Sequence, residues 1–371
     1  MRVFVLGTRG FPDIQGGIEK HCENIYPQLT KLGCHVTVLT RTPYIPRNRR
    51  ILENQGVRFI HVWTPRSKYL EAIIHTFFGI IIARIKSPDI IHFHAVGPSL
   101  FIPLAKLLGL RVVMTHHGPD YLRVKWGCFA KFILRLGEFL GVTFADYVIA
   151  VSKTVKTLLT RKYRTGRVEY IPNGVDIPEK LRNSKMLARF DLEPQKFIFT
   201  ACRFVPEKGL HDLITAYSRI SKPGFKLVIA GDADHETAYS RRIKESAAQH
   251  KGVVMTGFLN RLQLSEFYVN AKLFVLPSYY EGLPIALLEA MSYDLPVLVS
   301  DIPATREIPL PEYRYFPASD TILLAKKISE LFNCPFSKKE VAANRKTISE
   351  NYNWQIIAQK TCAVYRQVLG S

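Results

Sequence analysis

Cysteine is sparse and carries no pattern. Six residues (Cys22, Cys34, Cys128, Cys202, Cys334 and Cys362) are scattered through 371, with no C-x-x-C pair and no Cys/His ligand spacing. That excludes a disulfide scaffold, argues against structural zinc, and fits reduced thiols in the cytoplasm. No apolar run reaches the roughly 18 residues a membrane span requires. The nearest, residues 73–85, is interrupted by His75, Gly79 and Arg84. The N-terminus, MRVFVLGTRG, lacks the layout of a secretory leader and reads as a first buried strand. Acidic residues are also short: 31 Asp+Glu face 51 Lys+Arg, a net charge of +20. The deficit belongs to the first half, where residues 1–172 hold 25 basic and 10 acidic side chains against 26 and 21 in the remainder. Such a field favours an anionic partner (nucleic acid, an acidic membrane surface or a phosphorylated substrate) or serves solubility alone.

What is present is a folded α/β composition, 47% apolar and 22% charged. Short β-branched runs at 3–7, 35–40, 57–62, 89–94, 111–118 and 146–152 alternate with helical patterns, one of them at 17–33. The cadence restarts with runs at 196–203, 226–232, 253–258, 273–278 and 296–301. Strand–helix alternation implies parallel sheets covered by helices on both faces. The seam falls at IPNGVDIP, 171–178, where Pro, Asn and Gly mark a turn. Two doubly wound domains are expected: 1–172, and 173–353, with the amphipathic tail 354–371 packing back on the first. Facing each other, they would place their strand carboxyl ends around one cleft.

The loop after the first strand, GTRGFPDIQGGIEKH, is not G-x-G-x-x-G, so a nicotinamide cofactor is not indicated. Gly16 and Gly17 precede a helix, where bare N–H groups admit a phosphate or sugar; a tight turn would need them too. RVVMTHHGPDY puts His116 and His117 at a strand end, and alternation sends only one toward a ligand. In CRFVPEKGLHDLI, Arg203 ends a strand and Lys208 precedes a helix starting near Leu210, a placement suited to a diphosphate. In SYYEGLPIALLEAM, Glu281 falls in a strand-end loop, Pro284 at a first helical position and Glu289 inside the helix. A carboxylate on an apolar helix face needs partners, and ribose hydroxyls are suitable ones. By spacing alone a structural role for both glutamates stays open. Asp232-Ala233-Asp234 spells D-x-D, but it follows a strand where a glycine–aspartate turn is the simpler reading.

Together these motifs resemble the retaining glycosyltransferases of family four, with the GT-B fold. The resemblance runs the whole length: glycine-rich first loop, strand-end histidine, PNGVD at the seam, R-x-x-x-x-K-G, and E-x7-E in the setting S-x-x-E-G-L-P-x-x-x-L-E-A-M. The N-terminal GTRGFPDIQGGIE and the string HHGPDY-x4-W resemble a bacterial subset that assembles exopolysaccharide, capsule or lipopolysaccharide. The resemblance implies a nucleotide-diphosphate sugar donor, a glycan or lipid-diphosphate acceptor, and no metal or other cofactor. By the same resemblance, Arg203 and Lys208 would bind the diphosphate, Glu289 the ribose, and Glu281 and His117 the sugar. Gly282, Leu283 and Pro284 would line the diphosphate–sugar pocket, Gly16 and Gly17 would touch the diphosphate from the other domain, and Gly257 and Phe258 would border the base.

Two other readings share some of these features. A nucleotide-sugar epimerase uses the same fold, but the R-x-x-x-x-K-G and E-x7-E contexts fit transferases better. A nucleic-acid-binding protein would use the charge, yet the chain lacks a recognition helix, an RNA-binding aromatic motif or zinc spacing; no nucleic-acid partner is expected. The stretch RVKWGCFAKFILRLGEFLG, 123–141, interleaves Lys/Arg with aromatic and aliphatic residues. It reads either as an interfacial helix on the inner face of an anionic membrane or as a core-facing amphipathic helix.

Overall fold

The computed structural model describes all residues except 15, 46–50, 68–69, 123–126, 179–184, 221–223, 234–235, 335 and 371. The chain divides into two compact units, Met1–Gly174 with Trp354–Ser371, and Val175–Asn353.

The first unit is built on β1 (Arg2–Leu6), β2 (His35–Arg41), β3 (Glu53–Asn54), β4 (Val57–Val62), β5 (Ile90–His94), β6 (Val112–His116), β7 (Tyr147–Ala150) and β8 (Val168–Tyr170). Their order is β3-β4-β2-β1-β5-β6-β7-β8. Every pairing is parallel except the short β3–β4 ribbon. Strands β3 and β8 escape the sequence pattern because two or three residues are too few to show an alternation. The helices are α1 (Gly17–Lys31), α2 (Leu70–Lys86), α3 (Ile102–Leu107), α4 (Cys128–Phe144) and α5 (Lys153–Tyr163).

Alternation along β1 sorts the core. Val3 and Val5 face α1 and the C-terminal helix, Trp354–Leu369, through Ile25, Leu29, Ile357 and Tyr365. Phe4 and Leu6 face the opposite layer, with Ile80 of α2, Ile102 of α3, Val142 of α4 and Val155 of α5. Each such side chain, fully buried, contributes about 1.5–3 kcal/mol.

The second unit carries β9 (Phe197–Ala201), β10 (Lys226–Ala230), β11 (Val253–Gly257), β12 (Leu273–Leu276), β13 (Val297–Ser300) and β14 (Tyr315–Phe316), all parallel, in the order β11-β10-β9-β12-β13-β14. Its helices are α6 (Lys185–Arg189), α7 (Leu210–Ser218), α8 (Ala238–Ala248), α9 (Arg261–Asn270), α10 (Ile285–Ser292), α11 (Pro303–Arg306), α12 (Thr321–Asn333) and α13 (Lys338–Asn351). Ile198, Leu227 and Val275 pack with Leu213 of α7 and Ile328 of α12, while Phe199 stacks on Phe267 of α9 across the other face. The strand order reverses between β9 and β12. A crevice opens outside the strand ends at such a point, and doubly wound sheets place ligands there.

Candidate active site

The loops leaving β9 and β12 are joined at that switch point. After Arg203 the chain makes a tight turn over Pro206–Lys208 and enters α7 through Gly209 at φ +63°. A Cβ on Gly209 would lie 2.1 Å from the Pro277 carbonyl oxygen, so only glycine lets the two loops approach. The Tyr279 N–H donates to the Glu207 carbonyl at 2.9 Å, and the Tyr279 hydroxyl bonds Asp212. Lys208 Nζ is thereby held 2.5 Å from Glu281 Oε1, which also accepts from Ser278 Oγ at 2.7 Å. Both side chains are mostly buried, at 19% and 9% exposure. The ammonium has three donors, so the pair orients Lys208 without exhausting it. Beside it, burial pushes the Cys202 thiol up to about 12, against the opposing pull of Lys208, so this cysteine stays a neutral thiol.

Pro284 caps α10 at φ −77°, one residue before the position expected for it. Glu289 lies in the second turn and accepts from the Tyr268 hydroxyl of α9 at 3.1 Å. Tyr268 is itself fixed by stacking on Tyr293, 5.3 Å between centroids. Leu283 is buried beneath the loop, while Gly282 stands half-exposed at its surface. Gly257 ends β11 at φ +70°, its carbonyl accepting from Gly231 N–H at 2.8 Å, and Phe258 follows with its ring about half exposed. Asp232, the first residue of the D-x-D string, is engaged by Lys244 at 2.8 Å; Asp234 lies outside the described residues.

In the first unit, Gly16 opens α1 at φ +152°. A Cβ there would fall 2.0 Å from the Glu19 carboxylate, which is buried and paired with Arg9 at 3.1 Å. Gly16 is therefore explained by a local ion pair as well as by any ligand. Gly17 has open space where a Cβ would stand. His116 and His117 diverge, as alternation requires. His116 points into the α4 layer and bonds Glu138 at 2.9 Å, both fully buried. Burial alone would raise the Glu138 carboxyl; hydrogen bonds from His116, Lys162 and Tyr163 outweigh it and hold the group at about 2. His117 points the other way, onto His94 of β5 at 2.9 Å and over His21 of α1.

The strand-end loops of the second unit thus bring together Lys208 and Glu281, with Arg203 and Glu289 on the same loops and helix. In the first unit His117 lies at the end of β6 and the two glycines at the start of α1. Sequence reasoning missed Ser278, Tyr268, Arg9, Glu19 and Glu138. It also passed over His92 and His94, whose H-x-H spacing on a strand was a usable signal.

Residues 15–179 match the family model described as Glycosyltransferase Family 4, and residues 185–351 the model described as Glycosyl transferases group 1. The chain belongs to the GT4-type glycosyltransferases of the GT-B fold. It is 27% identical to an uncharacterised glycosyltransferase of Methanocaldococcus jannaschii, with 96% of this chain and 95% of that protein covered. Among solved structures it is similar to sucrose-phosphate synthase from Thermosynechococcus elongatus, with TM-score 0.82 and 21% identity over 100% of this chain and 99% of that one. It is also similar to HepE of Anabaena in complex with UDP and glucose, with TM-score 0.79 and 17% identity over 99% and 100% of the two chains.

Proposed function

We propose that this glycosyltransferase is a retaining, metal-independent enzyme that moves a sugar from a nucleotide diphosphate to a glycan or lipid-diphosphate-linked acceptor in polysaccharide assembly. The observation that carries the reading is the junction at the β9/β12 switch point, where a largely buried ammonium, Lys208, is oriented by Glu281 beside Arg203. As the bond from anomeric carbon to phosphate breaks, negative charge builds on the departing diphosphate. Fixed cations aimed there stabilise the transition state more than the ground state, and removing one such group costs on the order of 3 kcal/mol. Glu289, held by Tyr268, takes the ribose hydroxyls; Glu281 and His117 take the sugar, and Gly257 and Phe258 border the base. The leaving phosphate receives the acceptor's proton on the same face, so the two glutamates are not a glycosidase acid–base pair. HepE was solved with UDP, which supports a nucleotide donor. A sucrose-phosphate synthase shares the fold, so the polymer acceptor rests on the two N-terminal motifs. A thermal-shift screen against UDP-, GDP- and dTDP-sugars tests the reading: one donor raises the melting temperature through linkage, and no response from any would reject it.

We further propose that the enzyme works in the cytoplasm, peripherally bound to an anionic membrane. Among the described residues no helix is long and apolar enough to cross a bilayer. On α4 the buried side is made of Gly137, Glu138, Gly141 and Val142, while Phe129, Phe132, Phe139 and Phe144 point outward. Residues 123–126 of the stretch read as interfacial lie outside the described residues. On the same layer α2 exposes Leu70, Ile73, Phe77, Ile81 and Ile85. The acidic residues of these two helices, Glu71 and Glu138, are buried, so their accessible charges are the cations Arg84, Lys86, Lys131 and Arg135. Apolar side chains flanked only by cations fit an anionic bilayer surface.

A further inference from the structure

The first unit buries more imidazole than this chemistry employs. His92 and His94 stand two residues apart on β5, hence on one face, under α1 and the C-terminal helix. Both are sealed from solvent, at 1% and 0% exposure, and their rings stack at 4.5 Å. A continuous run of hydrogen bonds leads inward from His117. Its Nε2 meets His94 Nδ1 at 2.9 Å, and His94 Nε2 meets the Tyr26 hydroxyl. Tyr26 bonds Tyr365, whose hydroxyl lies 2.6 Å from His92 Nδ1, and His92 Nε2 ends the run on Thr115 Oγ1 at 2.7 Å. Burial lowers His92 to about 3 and His94 well below its usual value, so these two rings are neutral at physiological pH. Among the described residues no carboxylate bonds His92 or His94, in contrast to His116 with Glu138.

The Tyr26 hydroxyl also lies 3.3 Å from His92 Nδ1, and two proton patterns satisfy the hydrogen bonds of the run. In the first, Thr115 donates to His92, His92 to Tyr365, Tyr365 to Tyr26, Tyr26 to His94, and His94 Nδ1–H to His117 Nε2. His117 then carries its own proton on Nδ1. In the second pattern each bond is reversed: His117 Nε2–H donates to His94, and the last donation is from His92 Nε2–H to Thr115. Nδ1 of His117 is then an acceptor. The patterns differ by relocation of protons and hydroxyl rotation, with no change in net charge.

We propose that this buried run couples the tautomer of His117 to its own proton order, with His94 as the positioning residue and Tyr26, Tyr365, His92 and Thr115 as its continuation. The inference rests on the reading that His117 contacts the donor sugar. Its consequence there is a contact that presents either a donor or an acceptor to a sugar hydroxyl.

The test uses the intact protein labelled with ¹⁵N-histidine at neutral pH, where nitrogen–proton correlation spectra show which ring nitrogen carries the proton. Tyr26→Phe interrupts the run and Thr115→Val removes its far end, each at nearly constant volume. Both are expected to move the two His117 nitrogen shifts in opposite directions and to leave the His116 pair in place. Unmoved His117 resonances in Tyr26→Phe would overturn the inference. A response to Tyr26→Phe without one to Thr115→Val would overturn it too, reducing the run to a local contact. The spectra require no donor, so they are independent of the functional reading, which fails separately if His117→Ala transfers sugar at the wild-type rate.

Discussion

Gly209 lies against the carbonyl of Pro277 so closely that a methyl group on its α-carbon would stand 2.1 Å from that oxygen. The obstacle is backbone and cannot rotate away. Gly209→Ala also meets a left-handed φ of +63°. The substitution is expected to part the two loops, cost about 1–3 kcal/mol of stability and weaken donor binding at least tenfold. Melting temperature and nucleotide-sugar titration on the one variant check both. An alanine variant that binds donor normally would mean that the approach of the loops is incidental.

Glu289 and Tyr268 form a graded pair. Glu289→Ala removes the proposed ribose ligand and should abolish measurable nucleotide binding. Tyr268→Phe removes only the hydroxyl that orients it, a loss of about 1 kcal/mol or roughly fivefold in affinity. Calorimetric titration of both variants should return that order; equal effects would contradict the division of roles.

Acid should loosen the first unit first. Burial lowers His21 to about 4 and His75 and His92 to about 3, and all three lie in that unit. A histidine with a depressed folded value binds its proton preferentially in the unfolded chain. Its contribution is whole above pH 6.5 and is lost as pH falls toward the folded value, at about 1.4 kcal/mol per pH unit and group. Glu138, held at about 2, adds a further loss as pH falls below about 4.5. Trp63 and Trp354 also belong to this unit, the second buried at 3% exposure and so the one whose emission can shift. Its emission in moderate urea should shift to the red between pH 6.5 and 4.5, ahead of total loss of helix by circular dichroism; coincident transitions at lower pH would count against the ordering.

The outward phenylalanines of α4 separate membrane binding from folding. Phe129 is 78% exposed and Phe132 62% exposed. Replacing both with serine should leave the melting temperature within about one degree, since surface changes of this kind cost under roughly 0.5 kcal/mol. Flotation with anionic liposomes at low salt should fall severalfold. Retention of full liposome binding would remove α4 from the interface, and failure of the unaltered protein to float would remove the membrane.

Most of the architecture was legible because parallel strands buried on both faces read as continuous apolar runs. Eleven such runs return as strands, and the helix at Gly17–Lys31 lies within its expected span. What escaped was set by tertiary contact. The strands Glu53–Asn54 and Tyr315–Phe316 are two residues long and exist because a neighbour pairs with them. At the site, Glu281 and Glu289 were visible as carboxylates in apolar surroundings; Ser278 stood in the S-x-x-E motif without a role, and Tyr268 looked like an ordinary helix residue. The Glu138 carboxylate carried no signal of its own in the chain; only folding shows it fully buried against His116, Lys162 and Tyr163. Spacing along a chain cannot announce a partner more than twenty residues away.

The most direct test of the account is nucleotide affinity with and without Lys208. Wild type should bind UDP, GDP or dTDP with one clear preference, measured by titration calorimetry. Lys208→Ala should lose roughly ten- to a hundredfold of that affinity, the about 1.5–3 kcal/mol of a hydrogen bond to a charged group, while its circular dichroism spectrum stays that of wild type. Unchanged affinity in a folded Lys208→Ala variant would contradict the claim that the β9/β12 junction is the diphosphate site.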